Sequence, residues 1–251
     1  MTNRRDFITK TAVATAAAIT LPSLVTAAFA ESSSKKKIDL ETGNVILFQG
    51  DSITDWGRDK KQMDPNNFGA LGSGYVMPTA GSLLYKHADK KLQIYNKGIS
   101  GNKVFQLAER WDADCLNLKP NVLSIMIGVN DFWHTLTNGY NGTSKVYADD
   151  FRKLLDRTKK VLPDVKLIIG EPFALKGVKS VDEKWYPVFD EYRAASKQIA
   201  DEFGAFFIPY QSIFDKALEI APAPYWNLDG VHPSVAGANL MSHAWLETIK
   251  G

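Results

Sequence analysis

Ser52, His232 and Asp229 are the residues in this 251-residue chain whose types and spacing suit nucleophilic chemistry. A serine hydroxyl is a poor nucleophile at neutral pH and needs a base to take its proton. His232 is a candidate base. Asp229, three positions earlier, suits one loop that carries both groups, with the carboxylate holding the imidazole in one tautomer and stabilising the imidazolium. Attack on an ester leaves a negative oxygen that needs preorganised donors. The backbone N–H groups of Ser52 and Gly101 and the side-chain amide of Asn130 are the candidates, and a glycine at 101 lets the main chain approach a substrate closely.

These residues need a frame that gathers them. Ser52 follows the apolar run Val45, Ile46, Leu47, Phe48, which reads as a strand buried on both faces. Further apolar runs at 92–95, 122–127, 165–169 and 205–208 read as strands. Between and after them, 75–86, 104–111, 147–161, 185–203 and 235–249 read as helices. Strands alternating with helices predict a parallel sheet covered on both faces. Gly101 and Asn130 then follow the second and third strands, and Asp229 and His232 precede the last helix. Long connections hold Trp56, Trp133, Tyr225 and Trp226. All would rise at the carboxyl edge of the sheet, where open α/β folds place their chemistry.

Residues 1–30 read as an export signal. Arg4 and Arg5 precede Phe7, Ile8 and Lys10, a mildly apolar run follows, and Ala28-Phe29-Ala30 ends it. The paired arginines resemble a twin-arginine signal, with a general secretory signal or a retained anchor as rivals. Residues 31–37 read as a polar linker, and 38–251 as one domain. Removing residues 1–30 takes away Arg4, Arg5, Lys10 and Asp6, which leaves positive and negative residues equal in number. A neutral domain gives no electrostatic case for nucleic acid or for an anionic membrane, and nothing suggests stable membrane insertion of the mature chain. Cys115 is the single cysteine, which rules out an intrachain disulfide, and no His/Cys cluster has zinc-ligand spacing.

The stretches Gly50-Asp51-Ser52, Asn96 to Asn102, Gly128-Val129-Asn130-Asp131 and Asp229-Gly230-Val231-His232 resemble, in order, the four motif blocks of the SGNH hydrolase superfamily, also called GDSL esterases and lipases. That resemblance spans nearly the whole mature chain. It implies a flavodoxin-like three-layer α/β/α sandwich with a five-stranded parallel sheet and no cofactor. It implies ester hydrolysis through an acyl-serine, with Ser52, Asp229 and His232 catalytic and Ser52, Gly101 and Asn130 forming the oxyanion hole. The serine is not in a G-x-S-x-G elbow, so an α/β-hydrolase is not indicated.

Asp51 and Asp131 read as structural. His87 and His243 fall on helices, and His134 falls near the presumed site. The loop tryptophans Trp56, Trp133 and Trp226 suit a sugar, and no long apolar segment suggests a lipid-binding lid. The expected substrate is therefore a small-molecule or polysaccharide ester, with O-acetyl groups on a carbohydrate favoured, outside the cytoplasm of a bacterium. A lysophospholipase or thioesterase is the alternative of the same class. A non-catalytic glycan-binding protein and a metal-dependent phosphoesterase using Asp51, Asp131, Asp229 and His232 are the alternatives of other classes.

Overall fold

Five apolar stretches become the strands β1 (Val45–Gly50), β2 (Gln93–Asn96), β3 (Val122–Met126), β4 (Lys166–Gly170) and β5 (Phe206–Ile208) of one sheet in the computed structural model, which describes residues 25–29 and 37–251. The order is β2-β1-β3-β4-β5 and every pairing is parallel. β3 is buried along its whole length, as an interior strand covered on both faces must be.

The helices are α1 (Ser52–Asp55), α2 (Phe68–Leu71), α3 (Val76–Lys86), α4 (Val104–Glu109), α5 (Trp111–Asp114), α6 (Val129–Thr137), α7 (Ser144–Val161), α8 (Val188–Glu202), α9 (Tyr210–Ala217), α10 (Ala223–Trp226) and α11 (Val235–Leu246). α11 packs with α3, α9 and α10, whereas α7 packs with α4, α6 and α8, so the sheet is the middle of three layers. Phe48 of β1 and its register partner Ser124 of β3 both meet Trp245 of α11. The indole stacks 5.0 Å from the Phe48 ring and donates to Ser124 Oγ at 2.9 Å, so the buried indole N–H has a partner. The ends of the domain are tied together where Ile38 bridges Ile249.

Strand order reverses direction between β1 and β3, because β2 lies on one side of β1 and the rest of the sheet on the other. That switch point leaves a crevice beyond the carboxyl ends of the strands. Gly50 closes β1 there. A Cβ on it would lie 2.3 Å from Met126 O and 2.5 Å from Thr54 Oγ1, so only glycine lets the chain turn out of the sheet at this position.

Helices α1, α6 and α9 occupy stretches that read as connections in the sequence. In α1, Gly-Asp-Ser looks like turn chemistry, yet Asp51 caps the helix by accepting from Ile53 N at 3.0 Å. In α6, Val, Asn, Asp and Thr are weak helix formers. Tertiary packing supplies what propensity does not: Phe132 lies 5.3 Å from Trp185, 5.5 Å from Phe189 and 5.6 Å from Tyr192, ring centre to ring centre.

Of the expected export signal and linker, residues 1–24 and 30–36 lie outside the described residues. Residues 25–29 form a short helical segment whose Val25 and Ala28 are buried against the domain. No helix of the described residues is long and apolar enough to cross a membrane.

Candidate active site

The base and its partner arrive on one short loop between α10 and α11. Asn227 bridges Pro233, and Leu228 N donates to His232 O at 2.8 Å. Inside this loop Asp229 Oδ1 accepts from the backbone N–H groups of Val231, at 2.9 Å, and His232, at 2.8 Å. Its other oxygen, Oδ2, lies 2.7 Å from His232 Nδ1. A carboxylate only accepts hydrogen bonds, so Nδ1 carries the proton and Nε2 is left as an acceptor. Nε2 is 2.8 Å from Ser52 Oγ. Burial opposes the ionisation of Asp229, but the His232 side chain and the two amides hold its carboxyl down at about 2. Three residues that are 180 positions apart at the extremes thus form one hydrogen-bonded line.

Ser52 is the first residue of α1, directly past the strand end. Its N–H and that of Gly101 take part in no hydrogen bond among the described residues. Gly101 has φ +80°, a left-handed conformation open to glycine at little strain. Asn130 is buried in the first turn of α6, and its amide nitrogen donates one hydrogen to Asn102 O at 3.2 Å. A second amide hydrogen remains.

The loop carrying Gly101 is held from several directions. Asp55 Oδ2 accepts from Ser100 N at 2.9 Å and from Ser100 Oγ at 2.7 Å, and Lys60 Nζ lies 3.0 Å from it. Burial works against the charge on Asp55, yet these donors keep its carboxyl below the usual range. Arg58 Nε donates to Gly98 O at 2.7 Å, and Asp131 Oδ1 accepts from Val104 N at 3.2 Å. Asp51 and Asp131 are both buried and pushed up to about 7 by desolvation. They are structural acceptors, as their positions in the sequence suggest. The anchors Asp55 and Arg58 were not singled out in the sequence. An acidic and a basic residue three apart, just past the nucleophile, are the only signal they leave.

The three expected substrate tryptophans divide. Trp56 ends α1 in a left-handed conformation with φ 32°, and its ring lies 5.4 Å from that of His232. Trp133 is half-buried, 6.3 Å from His232 and 5.6 Å from Trp185. Trp226 does not reach the surface. It is buried, and its indole N–H is shared between Ala217 O and Ala221 O, both at 3.0 Å, so it packs the base of the loop instead of presenting a face to solvent. Among the described residues no three His, Cys, Asp or Glu are grouped to hold a metal ion.

A model of the GDSL-like lipase/acylhydrolase family matches residues 48–240, from within β1 to the middle of α11. The chain belongs to this family. An acetylxylan esterase from Geobacillus stearothermophilus is 36% identical over 212 residues, covering 83% of this chain and 94% of that one. A solved structure of that esterase superposes with a TM-score of 0.76 at 34% identity, covering 85% of this chain and 97% of that one. Another solved structure, described as a GDSL-like lipase from Parabacteroides merdae, is 51% identical with a TM-score of 0.84, covering 85% of this chain and 98% of that one. The GDSL hydrolase described here is a carboxylic ester hydrolase on a three-layer α/β fold.

Proposed function

We propose that this GDSL hydrolase removes O-acetyl groups from a carbohydrate through an acetyl-serine intermediate. The observation that carries the chemistry is the line from Asp229 Oδ2 through His232 to Ser52 Oγ, with links of 2.7 and 2.8 Å. Ser52 Oγ attacks the ester carbon while His232 Nε2 takes its proton, and Asp229 stabilises the imidazolium. The carbonyl oxygen becomes negative and is met by Ser52 N–H, Gly101 N–H and the Asn130 amide. His232 then gives its proton to the sugar oxygen, which leaves as an alcohol. Water, deprotonated by the same imidazole, attacks the acetyl-serine and releases acetate, and Ser52 regains its proton.

The carbohydrate assignment is supported by the acetylxylan esterase relative and by the indole of Trp56 beside His232. The site is open: the His232 and Asp229 side chains are 20% and 24% exposed. An open site suits an ester displayed on a polymer. Residues 1–30 fit an export signal, with which such a substrate outside the cytoplasm agrees.

Acetate release by wild type and Ser52→Ala, on an aryl acetate and on a panel of acetylated polysaccharides, tests this reading. Loss of the nucleophile is expected to lower turnover by about 10⁴ to 10⁶-fold. Equal activity in the two proteins would remove Ser52 from the mechanism. Wild type active on the aryl acetate but on no acetylated glycan would remove the carbohydrate.

A further inference from the structure

His134 stands beside the site and no step above uses it. It lies four residues after Asn130 on α6, one turn further along the same helix face. Its Cε1 is 3.9 Å from where a Cβ on Gly101 would stand, and apart from the two chain neighbours no other atom of the described residues comes within 4 Å of that point. The preceding residue, Trp133, points its ring towards His232. The imidazole therefore borders the space over Gly101.

One partner fixes its state. Lys103 Nζ is 3.1 Å from His134 Nδ1. Lys103 is only 8% exposed, and its ammonium otherwise faces the rings of Tyr140, at 5.1 Å, and Phe105, at 5.5 Å. Those two rings stack with centres 6.0 Å apart, which makes a fixed seat for the cation. An ammonium has protons to give and no lone pair to accept with, so Nδ1 is the acceptor and the ring proton sits on Nε2. Nε2 has no hydrogen-bond partner among the described residues. Burial and the adjacent Lys103 both hold the imidazole below its ordinary range, so it is a neutral donor at neutral pH.

We propose that His134 is a specificity-determining residue whose Nε2–H donates to a free hydroxyl of the sugar that bears the acyl group, with Lys103 as the positioning residue that fixes this tautomer. A hydroxyl on the ring carbon next to the ester lies within reach of any donor that borders the carbonyl oxygen. Acetate alone is too small to present one, and an aryl acetate has none. The ligand is a neutral hydroxyl rather than an anion, because the Lys103 charge is turned onto the imidazole and two ring faces. This inference rests on the carbohydrate reading.

Its test is the ratio of kcat/KM on an acetylated xylooligosaccharide to kcat/KM on an aryl acetate. His134→Ala is expected to lower that ratio about tenfold, mainly through KM on the sugar, as loss of one hydrogen bond to a neutral group allows. His134→Gln, whose side-chain N–H₂ reaches a similar place, is expected to recover most of it. Lys103→Met is expected to lower the ratio about threefold. It should also change the imidazole ¹⁵N pattern of His134 from a single Nε2–H tautomer to a mixture in a protein that remains folded. An equal loss on both substrates, or no change in the ratio, overturns the proposal. A ratio that falls equally in the Ala and Gln variants overturns the donor role, and an Nδ1–H tautomer in the wild type overturns the role of Lys103. Wild type that cleaves aryl acetate but no sugar acetate overturns the carbohydrate reading and this proposal together. Wild type active on the sugar with an unchanged ratio in His134→Ala overturns this proposal alone.

Discussion

The two sides of the site draw on near and distant partners in different measure. On the base side, Asp229 and His232 sit three residues apart, and both oxygens of Asp229 are satisfied within the next three positions. Asn227 Oδ1 adds two more local acceptor bonds, from Asp229 N at 3.2 Å and Gly230 N at 2.6 Å. On the oxyanion side local bonds, such as Gly98 N to Asn96 Oδ1 at 2.9 Å and Asn102 N to Ile99 O at 3.1 Å, are joined by many distant ones. The stretch from Asn96 to Val104 is held by Asp55 and Arg58 from the segment after β1, by Asn130 and Asp131 from α6, and by Arg110, which donates to Lys97 O and Asn102 Oδ1. The catalytic hydrogen bonds of the base arm are thus local, although its backbone is also tied to the segment after β4, where Leu175 N donates to Gly230 O at 2.8 Å and Ser180 N donates to Asp229 O at 2.7 Å. The oxyanion arm is shaped only when the sheet and three separate segments have closed around it. Damage to the first should therefore fall mainly on chemistry, and damage to the second on chemistry and stability together.

Asp229→Asn is the largest expected break on the base side. The carboxamide keeps the shape but can turn an N–H₂ towards Nδ1, which favours the tautomer with a proton on Nε2, facing the Ser52 hydroxyl. Turnover of an aryl acetate should fall by about 10⁴-fold. The melting temperature at neutral pH should fall as well, because the ionised carboxylate, held down at about 2, adds stability there that a carboxamide does not. A fall in melting temperature with turnover nearly unchanged would show that the Asp229 carboxylate stabilises the loop without serving the base.

Asn130→Ala strikes the other side. Loss of one oxyanion donor lowers turnover by about 10² to 10³-fold. The same change removes the bond to Asn102 O in a buried position, which costs about 1–3 kcal/mol where the carbonyl is left unpaired. Both effects should appear in one protein, the first in kcat on an aryl acetate and the second in a denaturant midpoint. Turnover lost without any change in the midpoint would erase the contrast between the arms.

The same contrast explains what could be read from the residues in order. The Asp-Gly-Val-His spacing carries its own geometry, so the base arm is legible, as is the five-stranded parallel sheet, because β1 opens on four apolar residues and β3 is apolar but for Ser124. Gly101 and Asn130 were recognisable as candidates through their motif blocks. The scaffold that shapes their side of the site was not, because Asp55 and Ser100 are 45 positions apart and nothing in either stretch announces the other. α6 escaped for a related reason. Its sequence is a poor helix, and the Trp185, Phe189 and Tyr192 rings that hold Phe132 in place come from a later segment. Trp226 misled in the opposite direction: an aromatic in a site loop suits a platform, but its N–H was already committed to two backbone carbonyls.

The smallest expected effect sharpens the comparison through pH. Asp131 anchors the oxyanion loop through Val104 N, and its second oxygen is buried without a hydrogen-bond partner among the described residues. Burial lifts its carboxyl from the ordinary 3.8 to about 7, whereas hydrogen bonds bring Asp229 down to about 2. The signs differ accordingly. Between 3.8 and about 7 the native state binds the Asp131 proton more tightly than the unfolded chain does. The stability from this group is complete below its unfolded value and is lost as pH rises through about 7. Asp229 contributes stability that is present above 3.8 and lost as pH falls through about 2. Asp131→Asn keeps an acceptor for Val104 N–H but no longer titrates. Relative to this variant, wild type should lose unfolding free energy as pH rises from about 5 to 8, with a slope of at most about 1.4 kcal/mol per pH unit. Asp51, also lifted to about 7, remains in the variant, so the curve flattens rather than becoming level. Denaturant midpoints at four pH values measure the difference, and parallel curves for the two proteins would mean that Asp131 does not hold its proton in the folded state.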